Sequence, residues 1–228
     1  MQADGKIIIA GYDKWGSGDE DGILARVNPD GSLDISFGVG GVVTTALSSQ
    51  DDNIFAVAVQ PDGKIVAAGW ATIGGRGVAS VTRYNADGSL DTAFGSHGVV
   101  TVSLGSVNSW FLGIAVQGDG RIVASGSATY SPVTFLLARF QPDGTPDSTL
   151  GGGGVVTTSS PGGGAYNWDM DVQSDGKFVL AGDVNPVSGW MAFALARYNA
   201  DGSLDAGFGS AGLVTQTFGM DVYCMLMA

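Results

Sequence analysis

The chain has 228 residues, enough to bury one sizeable core as a single domain, and its 38 glycines against seven prolines, with many short Val, Ile and Ala runs, define an all-β composition. A formal charge of −12 argues against nucleic acid and anionic membrane surfaces as partners, because both demand a basic patch. No apolar run approaches the ~20 residues of a membrane-spanning helix, which leaves cations and neutral polar molecules as the plausible partners.

In chain order, Met1 already lies inside a recurring motif, so a signal peptide is expected to be absent or removed. The segment MQADGKIIIAG at Met1 returns as VQPDGKIVAAG from Val59, VQGDGRIVASG from Val116 and VQSDGKFVLAG from Val172. The glutamines stand at 2, 60, 117 and 173, in steps of 58, 57 and 56. A second block, ARVNPDGSLDISFG around Arg26, returns as TRYNADGSLDTAFG around Arg83, ARFQPDGTPDSTLG around Arg139 and ARYNADGSLDAGFG around Arg197, each time followed by GVVTT or a close variant. Each unit therefore carries four β-rich runs, the content of one propeller blade. The expected fold is a single four-bladed β-propeller with four antiparallel strands per blade and units near 1–52, 53–109, 110–165 and 166–222. The tail 223–228 reads YCMLMA in register with the apolar run before each Gln, so it is expected to complete the first blade and close the ring.

The motifs VQPDGKIVAAG, TRYNADGSLDTAFG and GVVTT resemble the bacterial delta-60 repeat family over essentially the whole chain. That resemblance implies a β-propeller, often in a secreted or surface-associated protein, and it carries over no catalytic residue.

The framework residues read as scaffold. Asp-Gly at Asp4, Asp62, Asp119 and Asp175 makes tight turns, since Gly accepts positive φ and Asp bonds its own backbone. Arg26, Arg83, Arg139 and Arg197 precede Asp34, Asp91, Asp147 and Asp205 by eight residues, close enough across a turn to pair. The run NPDGSLD from Asn28 to Asp34 has its Gly too early, and lacks the twelfth-place Glu, for an EF-hand calcium loop. His97 reads as a surface turn residue and Cys224, among Tyr223, Met225 and Leu226, as a buried structural thiol.

Irregular segments all fall on the other rim. The framework holds eight basic and twelve acidic residues and the variable segments hold two and ten, so −8 of the −12 lies with the variable segments. All five tryptophans fall there too. The candidate ligand-binding residues are Trp15, Trp70, Trp110, Trp168 and Trp190 with Tyr130, Tyr166, Tyr223, Asp52 and Arg76; aromatic rings beside carboxylates suit sugar rings or cationic groups. The sharpest break in symmetry is WDMDVQ, where Asp169 and Asp171 replace Ala56 and Ala58, Gly113 and Ala115, and Leu226 and Ala228, while Asp183 replaces Tyr12, Trp70 and Ser127. These three aspartates are the candidates for catalysis, and Asp169 and Asp171 for a calcium ion. The leading reading is a monomeric, extracellular or cell-surface module for a glycan or another polar or cationic ligand. The alternatives are a glycoside hydrolase or lyase using those aspartates, and a structural repeat of a larger surface assembly. Nucleophile-His-acid chemistry is disfavoured, as the single His stands on the framework.

Overall fold

The computed structural model describes residues 1–14, 19–160, 163–186 and 189–224. Among the described residues, fifteen strands form four antiparallel sheets, one per repeat. The first sheet holds β1 (Ile7–Lys14), β2 (Glu20–Val27) and β3 (Val42–Thr45). The second holds β4 (Asp52–Val59), β5 (Ile65–Ile73), β6 (Arg76–Tyr84) and β7 (Val99–Val102). The third holds β8 (Ser109–Val116), β9 (Ile122–Ala128), β10 (Thr134–Phe140) and β11 (Val155–Thr158). The fourth holds β12 (Gly163–Val172), β13 (Phe178–Pro186), β14 (Ala192–Tyr198) and β15 (Leu213–Gln216). Strands pair in sequence order, so successive turns alternate between two rims. Among the described residues no helix is long and apolar enough to cross a membrane.

The core lies between sheets rather than inside them. Neighbouring residues of one strand face opposite sides, and in the inner blades both sides are covered, which explains unbroken apolar runs such as IVAA. Ile65 and Ala67 pack with Leu24 and Phe37 toward the first sheet, while Val66 and Ala68 pack with Phe111 and Ile122 toward the third. Val123 and Phe135 likewise meet Phe178 and Leu180. Each such buried aromatic or branched side chain stabilises the stack by about 1.5–3 kcal/mol.

The turns do what their residues dictate. Gly63 takes φ of 85°, and Asp62 Oδ1 accepts the Lys64 amide at 3.1 Å. The expected Arg–Asp pair is present in every blade, at 2.7 Å for Arg26–Asp34, 2.8 Å for Arg83–Asp91, 2.6 Å for Arg139–Asp147 and 2.8 Å for Arg197–Asp205. A third partner joins each pair: Lys6, Lys64 and Lys177 reach the same aspartate oxygen at 2.7–2.8 Å and Arg121 reaches it at 3.2 Å. This ties the two regular turns of a blade into one rim. Lys64 foremost holds the Asp91 carboxyl below the usual carboxylate range. Lys177 foremost, helped by the Gly207 amide, lowers that of Asp205 to about 2.

Three junctions of one design join the four blades. The strand arginine of one blade donates Nη1 to a turn carbonyl of the next: Arg26 to Ala86, Arg83 to Pro142 and Arg139 to Ala200. Beside it, the amides of Gly38, Gly95 and Gly151 donate to the carbonyls of Asp87, Asp143 and Asp201, each at 2.8 Å. Inner strands β4, β8 and β12 each carry one bulged residue, Phe55, Leu112 and Trp168.

The expected clasp is not made by the described residues, and 225–228 lie outside them. The glycines of β5, β9 and β13 press on the inner strand, so that a Cβ on Gly69, Gly126 or Gly182 would stand 1.7–1.8 Å from the carbonyl oxygen of Asn53, Trp110 or Tyr166. Gly11 is their counterpart in β1 and Tyr223 is the counterpart of those carbonyl residues. Among the described residues, a Cβ on Gly11 would meet only the Ile23 side chain, at 3.8 Å.

Candidate functional site

The rim opposite the regular turns is assembled by loop-to-loop bonds. Glu20 N donates to Asp51 Oδ1 at 3.0 Å, Gly77 N to Asn108 Oδ1 at 3.2 Å and Met191 N to Asp221 Oδ1 at 2.8 Å. Each joins the hairpin end of one blade to the segment leading toward the next, so the variable loops share an end as the alternation of turns requires.

The fourth blade brings the most candidates together. The bulge at Trp168 turns its ring outward, 41% exposed, while its Nε1 donates to Asp183 Oδ2 at 2.5 Å. Asp183 is buried in β13, opposite Tyr166 of β12, and its other oxygen accepts the Cys224 amide. Asp169 accepts the Met170 amide at 2.8 Å. Burial foremost, then the Asp183 and Asp169 charges, push the Cys224 thiol upward, so it is a poor thiolate. The thiol is half-buried rather than enclosed. Asp171 is exposed, so its charge carries no burial cost.

The remaining candidates are distributed around the rim. Trp70 is half-buried in β5 against Gly77, with Arg76 exposed at the start of β6. Trp110 is half-buried opposite Ser127, and Tyr130 is exposed beyond β9. Trp190 and Tyr223 are exposed on the fourth blade. Asp52 is buried and spends its carboxylate on its own loop, accepting the Leu47 and Ser48 amides at 2.6 Å each and the Thr72 amide at 3.2 Å. Trp15 lies outside the described residues.

Sequence reasoning missed two participants. Asn167 is buried and its amide donates to Ser127 Oγ at 2.8 Å, across the third junction. Asn53 donates to Glu20 Oε2 at 3.2 Å, which fixes a carboxylate of the first hairpin. Neither stands out from composition, because each acts through a partner 40 or 33 residues away in the preceding blade.

Among the described residues no group of three or more His, Cys, Asp or Glu side chains is placed to hold a metal ion. His97 is an exposed turn residue at φ 55°. In the run from Asn28 to Asp34, Asp30 Oδ1 accepts both the amide and the hydroxyl of Ser32.

Up-and-down sheets stacked face to face, one per repeat, with regular turns on one rim and irregular loops on the other, define a β-propeller repeat protein. The family model described as "Domain of unknown function (DUF5122) beta-propeller" matches residues 2–37, 60–94, 117–150 and 173–208, more than half of the chain, and the chain belongs to that family. The four matched stretches are the repeated motif blocks. No curated protein matches the chain.

Proposed function

We propose that this chain is a binding module that recognises a glycan or another polar or cationic ligand on its variable rim. The observation that carries this is Trp168: a large ring held out in solvent by a bond from its indole nitrogen to a buried carboxylate. An exposed tryptophan contributes little to folding, and fixing it beforehand lowers the entropy lost when a ligand stacks on it. Tyr223 and Trp190 are exposed on the same blade, and the surrounding rim is acidic. Ring faces beside carboxylates suit sugar C–H faces and hydroxyls, or a cation. Both Asp183 oxygens are already occupied, which favours positioning of Trp168 over acid-base work by this residue. The resemblance to surface-associated repeat proteins supports placing the module outside the cell.

The test is a glycan array followed by fluorescence titration. Binding that quenches tryptophan emission and weakens at least tenfold in Trp168→Ala supports the reading. An unchanged affinity in Trp168→Ala and Trp190→Ala would refute it.

A further inference from the structure

The repeat pattern is also broken on the rim of the regular turns. In the first blade, the loop over 33–41 holds Ile35 at 79% and Val39 at 89% exposure. By repeat register the sister positions are Thr92 and Ser96, Ser148 and Gly152, and Ala206 and Ser210, and all of them are exposed as well. Every blade therefore presents these two positions to solvent, and the first alone fills both with large branched apolar side chains. Val39 lies in a groove of about 570 Å3 between the first and second blades. Gly38, Val42, Val43 and Thr44 line it on the Val39 side, and Asp87, Gly88 and Ser89, in the second turn of the second blade, line it on the other. Exposed apolar groups set in a groove with a polar margin mark a surface for a partner.

Charge and backbone decide which partner. All eight framework cations are paired with Asp34, Asp91, Asp147 or Asp205, which are buried. The turn carboxylates Asp30, Asp87, Asp143 and Asp201 stay exposed, so the surface charge of this rim is negative. In the groove, Asp87 Oδ1 accepts the Ser89 amide at 2.9 Å and the Ser89 hydroxyl at 2.7 Å, while Oδ2 has no hydrogen-bond partner among the described residues. The Ser89 hydroxyl foremost, then its amide, holds the Asp87 carboxyl below the usual carboxylate range, so it is ionised at neutral pH. Lysine and arginine are attracted there, and anionic lipid or nucleic acid is repelled. Among the described residues β3 is an edge of its sheet, and such an edge offers backbone bonds that an extended polypeptide matches. Val42 exchanges both of its outward bonds with Val39, which leaves Thr44, two residues on, as the open position.

We propose that the groove between β3 and the second turn of the second blade docks an extended segment of a partner protein in which a branched apolar residue stands beside lysine or arginine. The apolar side chain packs on Val39, Val42 and Val43, the cation meets Asp87, and the segment's backbone passes β3 at Thr44. At the other blades the place of Val39 is taken by Ser96, Gly152 or Ser210, so the first groove is selected by its apolar margin. This surface lies on the rim opposite Trp168 and is independent of ligand binding there.

Fluorescence anisotropy with labelled synthetic peptides tests it. The probe is a peptide of alternating Lys and Val, and the controls alternate Lys with Ser and Glu with Val. The probe should bind with a Kd of about 0.1 mM, and each control at least about tenfold more weakly, the factor for one unburied Val. Ile35→Thr with Val39→Ser installs the residues of the second blade, so it should keep the melting temperature while weakening the probe at least about tenfold. Asp87→Asn should weaken the probe and flatten its salt dependence, and Trp168→Ala should leave binding unchanged. In an amide NMR titration, the shifts should fall at 38–44 and 87–89. No saturation up to about 1 mM peptide overturns the proposal. So do controls that bind as well as the probe, a double variant or an Asp87→Asn protein that binds like the wild type, a loss in Trp168→Ala, or shifts confined to other residues.

Discussion

Removing Arg139 should cost the fold about 3–5 kcal/mol, the range for stranding one member of a buried ion pair. Arg139 is buried on β10, with Nε on Asp147 Oδ2 at 2.6 Å, Nη1 on the Ala200 carbonyl at 2.8 Å and Nη2 on Thr149 Oγ1 at 2.9 Å. Arg139→Ala therefore leaves a buried carboxylate short of its nearest cation and a carbonyl of the fourth blade short of its donor. Arg121 Nε, at 3.2 Å from the same oxygen, remains and places the expected loss near the lower end. Urea unfolding in dilute solution measures it as a drop in midpoint at constant slope. Against a total stability of about 5–15 kcal/mol, the loss is a large fraction. Arg139→Met with Asp147→Asn should recover part of it, because no uncompensated charge is then buried. Arg197→Ala should cost only about 1 kcal/mol, since that guanidinium is more exposed and among the described residues bonds no neighbouring blade. A loss below about 1 kcal/mol for Arg139→Ala, equal to that of an exposed pair, would refute the reasoning.

The framework aspartates make stability acid-sensitive: with folded-state pKa values held below the ordinary 3.8, their contribution is complete above about pH 4 and lost as pH falls toward about 2, the value for Asp205. Melting temperature should therefore fall across that window, and Lys177→Met should move the fall to higher pH; a flat profile down to pH 2 would contradict this. Gly126→Ala should cost at least about 2 kcal/mol, because its Cβ would stand 1.8 Å from the Trp110 carbonyl oxygen. Gly11→Ala, in the matching place on β1, should stay within about 0.5 kcal/mol, since its Cβ would meet the Ile23 side chain at an ordinary 3.8 Å, and equal costs in urea melts would contradict this. Asp183→Ala should cost about 1–3 kcal/mol by leaving the Trp168 indole and the Cys224 amide without their acceptor, and should shift tryptophan emission; an unchanged spectrum would show that Trp168 is not held there.

The four-strand unit was legible because its turn signals recur at nearly fixed spacing, and the Arg–Asp pairs because eight residues bridge a single turn. The Lys6, Lys64 and Lys177 contacts were less legible, since each joins turns 27 or 28 residues apart that the fold alone brings onto one rim. The arginine bonds to Ala86, Pro142 and Ala200 span 59–61 residues, one whole repeat, and so belong to the junctions and not to any blade. Ring closure depends on the rotation at each junction, which is set by how side chains such as Phe111, Ile122 and Phe140 fill it, and a repeat count carries no such angle. At the candidate site, Asp183 announced itself as a carboxylate among Tyr12, Trp70 and Ser127. Its partnership with Trp168 did not, because that contact depends on a bulge that adds one residue to β12 without changing the repeat pattern.

Amide hydrogen exchange on β1, the edge of the first sheet among the described residues, tests the three-stranded first blade most directly. The amides of Ile7–Lys14 that face the inner-strand position should exchange at rates typical of loops, while the matching amides of β5, β9 and β13 remain protected. Equal protection of β1 would mean that a further strand covers it, beyond the three that the described residues supply to the first sheet.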